Sequence, residues 1–425
     1  MVSIHQVPPV AERLLKPLHR FLQSASHRFR CHKLSDEDWL ATGIYRVLED
    51  EPSGCGFLQK LQLNYSRNLR KNHYFQSLGS TRRLAHLREL CRRFTSDLAQ
   101  RALDEDPEAG LCEELKNFHL YAGDGHFHAA SSHDPRDEDG SKHAIGHLYA
   151  LNLRNQCLSH LALSSKGGRT KPHDMGTLKS TEIATLRQGA GKGQKVLYVW
   201  DRAGIDFPQW MKWKHGSGIY FLSRVKENMR LEIQGECPID RDDPRNAGVL
   251  ADQLVAGLAG VLLRRIRFLI PETGEEMEFL TNLGPGVPPG VVAQLYFMRW
   301  RIEKSFDELK NKLYERKAWA TSDTAKTMQG LFIVLAYNLA KLLHARIQRD
   351  HHIEDTITAR KRQQRCDELE ASLEKQGRRL PSLRRALQTP SQLGVKYYRW
   401  LRLALYQATC WEESLDQLRA LYADY

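Results

Sequence analysis

The 425-residue sequence predicts an α/β fold in which a mixed β-sheet carries a β-rich insertion, with helical regions flanking it at both ends. Short apolar runs alternate with helical patterns over residues 116–225, which is typical of a sheet with intervening helices. Residues 226–287 contain two apolar runs joined by a turn. Residues 1–115 and 346–425 repeat apolar side chains every three or four positions, as amphipathic helices do.

The composition indicates a basic, globular protein. There are 63 Lys and Arg against 51 Asp and Glu, a net charge of +12, with 41% hydrophobic residues. A basic excess favours a polyanionic partner, most often nucleic acid. The longest apolar stretch, residues 331–343, is shorter than the ~18–20 residues of a membrane span, and we see no signal-peptide pattern. We therefore expect a cytoplasmic protein without a membrane partner, whose eight scattered cysteines are reduced thiols.

The N-terminal region, residues 1–115, is predicted to be helical and to bind DNA. Helices are expected at residues 11–22 and 81–99. Between Lys60 and Arg93 nine basic residues are opposed only by Glu89. Aromatic side chains interleave with them: Tyr65, His73, Tyr74 and Phe75. Such a stretch suits contact with phosphates and sugars, although a solvated pair of basic helices explains it equally well.

The core, residues 116–225, is predicted to follow the order of three strands, helix, strand, helix and strand. The strands are expected at residues 118–124, 148–153, 157–163, 195–200 and 219–225, and the helices near 179–188 and 207–214. Asp124 and Asp201 follow the first and fourth apolar runs. Acids can converge there, because the carboxyl ends of neighbouring strands meet at one edge of a sheet.

A β-rich insertion is predicted at residues 226–287, where the runs at 261–270 and 275–283 form a hairpin. The core resumes at residues 288–345 with a long amphipathic helix from 291 to about 313. A second helix is expected at 327–349. Residues 346–425 form a helical C-terminal region.

The long helix has two distinct faces. At ~100° per residue, one arc of roughly 80° holds polar and aromatic side chains: Tyr296, Arg299, Glu303, Asp307 and Lys310. A separate arc is apolar and predicted to face the core: Leu295, Met298, Ile302, Phe306, Leu309 and Leu313. In an isolated helix, the polar arc is best explained as a solvated, salt-bridged face. If Glu303 met Asp124 and Asp201, however, divalent cations would be needed to neutralise their repulsion.

The spacing Tyr296-x2-Arg299-x3-Glu303-x6-Lys310 resembles the YREK signature of the IS4 group of bacterial DDE transposases. Asp124 within YAGDGHF and Asp201 within VWDRAGIDF agree with that family in their order along the chain. The resemblance covers about residues 116–345. It implies an RNase H-like mixed sheet with a β insertion before the glutamate helix.

The resemblance also implies an activity. Such a protein binds the terminal inverted repeats of an insertion sequence, cleaves DNA at the element ends and joins the 3′ hydroxyls to target DNA. Asp124, Asp201 and Glu303 would be the catalytic metal ligands, with Mg²⁺ as cofactor and Mn²⁺ as a substitute.

Further expectations concern DNA and a second subunit. Tyr296, Arg299 and Lys310 would contact phosphates beside the scissile bond. The partners would be double-stranded DNA of the element ends and of the target, in the nucleoid of a bacterial cytoplasm. A homodimer would form through the C-terminal helices. An aromatic wedge for base flipping has four candidates: Trp210, Trp213, Trp300 and Trp319.

Three alternatives remain open from the residues alone. A metal-dependent nuclease would cut DNA without joining it, and a transposase-derived regulator would bind DNA without cutting. A third possibility is local: His126, His128 and His133 with Asp134 could bind zinc. For these histidines we favour a surface loop.

Overall fold

The computed structural model describes most of the chain. The described residues are 8–23, 34–51, 53–65, 69–105, 113–136, 138–164, 174–257, 260–313, 315, 317–378, 393–407 and 409–423. The described part of the N-terminal region contains five helices: α1 (Pro9–Gln23), α2 (Asp36–Leu48), α3 (Gly54–Tyr65), α4 (Lys71–Ser77) and α5 (Thr81–Glu105). The two helices predicted there, at 11–22 and 81–99, are confirmed as α1 and α5.

The described strands form one mixed sheet. They are β1 (Phe118–His128), β2 (Ile145–Asn152), β3 (Leu158–Leu163), β4 (Lys195–Val199), β5 (Ile219–Arg224), β6 (Glu232–Glu236), β7 (Val249–Ala256), β8 (Leu262–Leu269) and β9 (Glu276–Thr281). Their order is β3-β2-β1-β4-β5-β9-β8-β7-β6. β1 pairs antiparallel with β2 and parallel with β4, and β4 pairs parallel with β5. The predicted class, an RNase H-like mixed sheet with helical flanks, is confirmed.

The strands of residues 226–287 extend this sheet. The predicted hairpin is β8 and β9, which pair antiparallel, and β9 also pairs antiparallel with β5. β6 and β7 were not predicted from the sequence. β6 has mostly exposed side chains and no apolar alternation, so its position depends on pairing with β7.

The prediction of one helix at residues 179–188 is wrong. The structure has two short helices instead, α6 (Asp174–Ser180) and α7 (Ile183–Leu186). The hydroxyls of Ser180 and Thr181 donate to the Thr177 carbonyl at 2.8 and 2.9 Å. These side-chain bonds compete with helical backbone bonds, and the chain turns before α7 begins. Helix α8 (Phe207–Ser217) follows β4, as predicted.

The long helix predicted from 291 to about 313 is divided at Arg299 into α9 (Pro289–Met298) and α10 (Trp300–Asn311). The Arg299 amide donates to the Tyr296 carbonyl at 3.0 Å, and the Ile302 amide donates to the Arg299 carbonyl at 3.0 Å. These bonds span three residues, so the turn is tighter than in an α-helix. The apolar arc nevertheless faces the core, with only Phe306 half-exposed.

Helix α11 (Asp323–His351) is the centre of the core. By length and composition it could cross a membrane, but 78% of its most apolar window is buried inside the protein, as in an ordinary core helix. Asn338, which interrupts its apolar run, has a structural role. Its side chain donates to the Leu158 carbonyl at 2.8 Å and accepts from the Leu158 amide at 2.7 Å. The C-terminal region contains α12 (Thr356–Lys375), α13 (Val395–Ala404) and α14 (Trp411–Ala423).

Candidate active site

Asp124 lies inside β1, not at its end as predicted. The pairing of β1 with β4 ends at Ala122 and Val199, whereas its pairing with β2 continues to His128. Asp124 is therefore just beyond the point where the sheet opens between β1 and β4. A Cβ on the neighbouring Gly123 would lie 2.4 Å from the Trp200 ring, so only glycine allows this close approach.

Asp201 follows β4 by two residues, at the same opening. Its side chain accepts a hydrogen bond from the Ala203 amide at 2.8 Å and caps a single 3₁₀ turn. The Ser223 hydroxyl of β5 donates to the Asp201 backbone carbonyl at 2.8 Å. These two bonds fix the backbone and side chain of Asp201 at the carboxyl edge of the parallel strands.

Glu303 is joined to Asp124 through Arg299. The Arg299 guanidinium donates from Nη2 to Glu303 Oε1 at 2.6 Å and from Nη1 to Asp124 Oδ2 at 3.4 Å. Arg299 is buried, while the two carboxylates are partly exposed. A planar guanidinium can bridge two acids in this way, since its donors form a fixed fork. The first and third predicted acids therefore lie at one site.

The carboxylates outnumber the positive charges close to them. The pKa of Asp124 is raised to about 7, chiefly by burial and in addition by Asp201 and Asp174, against the opposing effects of the Arg299 charge and the Gly125 amide. Asp174, at the start of α6, was not predicted as a site residue. It follows an irregular polar stretch in the sequence, which gave no signal that it would lie beside Asp124.

These side chains suit a divalent cation by their chemistry. Carboxylate oxygens are hard ligands of the kind that Mg²⁺ prefers. Nearby cations do not fully neutralise these carboxylates, so a bound Mg²⁺ would supply the missing positive charge. Among the described residues, however, no three His, Cys, Asp or Glu side chains are already arranged as a metal centre. The structure brings two acids to one arginine and a third within electrostatic range, without a preformed three-ligand centre.

The other two predicted site residues differ in their positions. Tyr296 is half-buried; its ring lies 4.9 Å from that of Phe279 and 5.8 Å from the Arg299 guanidinium carbon. Burial raises the pKa of Tyr296, which keeps its phenol neutral. Lys310 is exposed, and it lies seven residues after Glu303, about 10 Å further along α10. The phosphate contact of Lys310 stays a prediction.

The positive charge of the stretch from Lys60 to Arg93 is partly neutralised in the folded protein. Acids outside the stretch pair with its cations: Glu49 and Asp50 with Lys60, and Asp36 with Arg82 and Arg83. Arg70, Lys71 and Arg88 are exposed. Tyr74 is fully buried and belongs to the core.

The prediction that His126, His128 and His133 lie in a surface loop is wrong for the first two. His126 and His128 are buried on β1, and both contact Glu315. His133 is exposed in a turn, and Asp134 pairs with Lys326 at 3.0 Å. The sequence gave no signal for Glu315 as their partner, because it lies 189 residues after His126.

The four tryptophans considered as wedges differ in exposure. Trp210 and Trp213 are buried and stack on Phe221. Trp319 is half-buried beneath the Arg46 guanidinium. Trp300, directly after Arg299, is 56% exposed. Of the four, Trp300 has the most accessible ring.

The sheet and its acids define an RNase H-like protein with a carboxylate-rich site at the opening between β1 and β4. The family model described as the transposase DDE domain matches residues 126–339, slightly more than half of the chain. The chain therefore belongs to the transposase DDE domain family. The matched segment contains Asp201 and Glu303 and begins two residues after Asp124.

No curated protein sequence matches this chain. Among solved structures, the chain is similar to piggyBac transposase, seen by cryo-EM in a synaptic complex with hairpin DNA. The identity is 11% and the TM-score 0.38, with 97% of this chain and 82% of that chain covered.

Proposed function

We propose that this protein is a transposase of the IS4 group that binds the terminal inverted repeats of an insertion sequence, cleaves DNA at the element ends and joins the 3′ hydroxyls to target DNA. The observation that carries the proposal is the Arg299 bridge between Asp124 and Glu303, in which Arg299 contacts an acid 175 positions away along the chain, with the third acid close by. Membership in the transposase DDE domain family supports the same reaction class.

In this proposal Asp124, Asp201 and Glu303 hold Mg²⁺, or Mn²⁺ in its place. When bound, two such ions activate the attacking hydroxyl and stabilise the leaving 3′ oxygen of a phosphodiester. Arg299 orients the two carboxylates that it bridges and offers its remaining charge to a phosphate. Tyr296 presents a neutral phenol that can donate to a phosphate oxygen, and Lys310 contacts the DNA backbone further along α10.

The DNA surface is proposed to extend beyond the acids. Arg202, Arg224 and Lys226 line a polar cavity of about 440 Å³ next to Asp201. Residues 1–115 would add contacts to the element ends, through the exposed cations Arg70, Lys71 and Arg88. Trp300 is our candidate for the aromatic wedge in base flipping.

We also propose the following organisation: DNA binding by residues 1–115, an RNase H-like catalytic core at 116–225 and 288–345, a β-rich insertion at 226–287, and dimerisation through residues 346–425. Two subunits would then hold two DNA ends in the bacterial cytoplasm. The most accessible surface for this contact is α12, where Leu373 is the only buried residue among its described side chains.

The test is cleavage of a labelled duplex that carries the DNA flanking the coding sequence, with Mg²⁺ or Mn²⁺. We compare the wild type with Asp124→Ala, Asp201→Ala and Glu303→Ala. Asp307→Ala is the matched control, because Asp307 is an exposed acid one turn after Glu303. Metal-dependent cutting that only the first three changes abolish, with DNA binding retained, supports the proposal.

Strand joining is measured separately with precut ends and a target duplex. Joined product distinguishes a transposase from a nuclease. Binding without cutting by the wild type would indicate a DNA-binding regulator instead.

A further inference from the structure

A cluster of ionisable side chains lies next to the acids and has no part in the proposed chemistry. We call it the imidazole cluster, and its members are His126, His128, His147, His160 and Glu315. His126, His128, His147 and Glu315 are buried, and His160 is half-buried. Four contacts link them in a chain: His126 Nε2 to Glu315 Oε2 at 2.8 Å, His128 Nε2 to Glu315 Oε1 at 3.5 Å, His128 Nε2 to His147 Nε2 at 3.2 Å, and His147 Nδ1 to His160 Nε2 at 3.0 Å.

This chain joins strand β1 to the segment that follows the glutamate helix α10. Side chains alternate along a strand, so Asp124, His126 and His128 lie on one face of β1. Asp124 contacts Arg299, at the start of α10. The His126 ring lies 4.8 Å from that of Phe306, in the middle of α10. His126 and His128 then contact Glu315, which follows the end of the helix.

The cluster is supported on its other sides as well. The Ala318 amide donates to the Ala129 carbonyl at 2.8 Å, so the segment after Glu315 is fixed to the end of β1. Helix α11 packs against the imidazoles at Gly330, where a Cβ would lie 2.8 Å from the His160 ring. The position of Glu315 relative to β1 is therefore set by contacts on several elements.

We propose that Glu315, through His126 and His128, is a positioning residue that sets the placement of Glu303 relative to Asp124. This inference rests on the proposed function of those two acids. An α-helix moves as a stiff rod, so a helix held at its start, middle and end on one strand has a fixed tilt. The other two contacts described above between this helix and that face of β1 are those of Arg299 with Asp124 and of Phe306 with His126. A displacement of about 1 Å at a reacting group can lower a rate about 100-fold.

The experiment compares Glu315→Ala and Glu315→Gln with Glu308→Ala. Glu308 is a matched control, because it is a buried glutamate on α10 itself that contacts Tyr398 and the Leu393 amide instead of β1. For each variant we measure kcat and KM for cutting the end duplex, and the folded fraction by circular dichroism. Binding of Mn²⁺ to the protein–DNA complex is measured from the loss of the free-ion EPR signal.

For Glu315→Ala we expect kcat to fall about 10- to 100-fold with KM unchanged within twofold, and Mn²⁺ affinity to fall about tenfold. Glu315→Gln should recover most of both losses, since its amide oxygen can still accept a hydrogen bond from His126. Glu308→Ala should lower thermal stability and leave kcat and Mn²⁺ affinity unchanged. A merely structural role of Glu315 would give the same result as the control.

The inference is overturned if Glu315→Ala retains wild-type kcat and Mn²⁺ affinity, or if kcat falls only in proportion to the folded fraction. If Glu315→Ala does not fold, Phe306→Ala tests the same arrangement at the half-exposed middle contact, with the same expected pattern. A wild type that does not cut overturns the proposed function instead. Mn²⁺ binding by the variants then still decides the positioning role.

Discussion

At the scale of single residues, Asp124 has the most perturbed carboxyl of the candidate site. Burial and two neighbouring acids raise its pKa to about 7. A carboxyl with a higher pKa in the folded state binds its proton more tightly there than in the unfolded chain. Its contribution to stability is fully present below pH 4 and is lost as the pH rises to 7, by an amount on the order of 4 kcal/mol.

Asp124→Asn should remove this pH dependence, because the amide stays neutral throughout. In protein stripped of metal with EDTA, we expect the wild-type melting temperature to fall more steeply between pH 4.5 and 8 than that of the variant. The variant should be the more stable of the two at pH 8. Thermal melts followed by circular dichroism across this range provide the measurement. Parallel curves for the two proteins would contradict the assignment.

Arg299 should not tolerate replacement by lysine. Its two terminal nitrogens contact different acids, Asp124 and Glu303, and a single ammonium cannot reproduce that fork. We expect Arg299→Lys to lower kcat for cutting about 10- to 100-fold, with DNA affinity within about threefold of the wild type. The exposed Arg349→Lys is the control, and should change neither quantity. Equal kcat for Arg299→Lys and the wild type would show that the bridge has no role in catalysis.

At the scale of secondary structure, the patterns within one element were predictable and the contacts between elements were not. The apolar runs gave the core strands and the order in which Asp124, Asp201 and Glu303 occur. They did not show that β1 continues past Asp124, because that extension depends on pairing with β2 alone. The tight turn at Arg299 was also missed, since a helical wheel assumes a constant rotation per residue.

The missed site residues share one cause. Asp174 follows a polar stretch of sequence and Glu315 follows the end of α10, and each reaches its partner through a long-range contact. Periodicity reports on neighbours three or four positions away, so it carries no information about such contacts. The same limit applies to Lys60 and Arg82, whose acid partners lie 11 and 46 residues away.

Asn338 shows how a polar residue inside an apolar helix can stabilise the adjoining sheet. Its side chain satisfies both backbone groups of Leu158 at the start of β3. Asn338→Leu keeps the branched shape of the side chain but leaves two buried backbone groups unpaired, at about 1–3 kcal/mol each. We expect a clear drop in the urea midpoint of unfolding. Asn311→Leu, at an exposed position of α10, should shift it little; similar shifts for both would contradict this account.

At the scale of the whole molecule, the net charge is +12, but not every cation between Lys60 and Arg93 is available to bind DNA phosphates. Lys60 and Arg82 are already paired with acids, and Arg82 makes two bonds of 2.8 Å to Asp36. Arg70 and Lys71 are exposed, and no acid pairs with them in the part of the chain that the structure describes. Each cation that neutralises a DNA phosphate adds about 0.9 to the dependence of log K on log salt.

Two double variants with the same change in net charge separate local contact from overall charge. If Arg70 and Lys71 bind phosphates, Arg70→Ala with Lys71→Ala should lower the slope of log K against log salt by about 2. Lys60→Ala with Arg82→Ala should leave it within about 0.5, because those cations release no counterions on binding. Fluorescence anisotropy of a labelled end duplex between 50 and 300 mM salt measures both. Equal losses would mean that net charge governs binding, and no loss in either would mean that Arg70 and Lys71 do not contact the DNA.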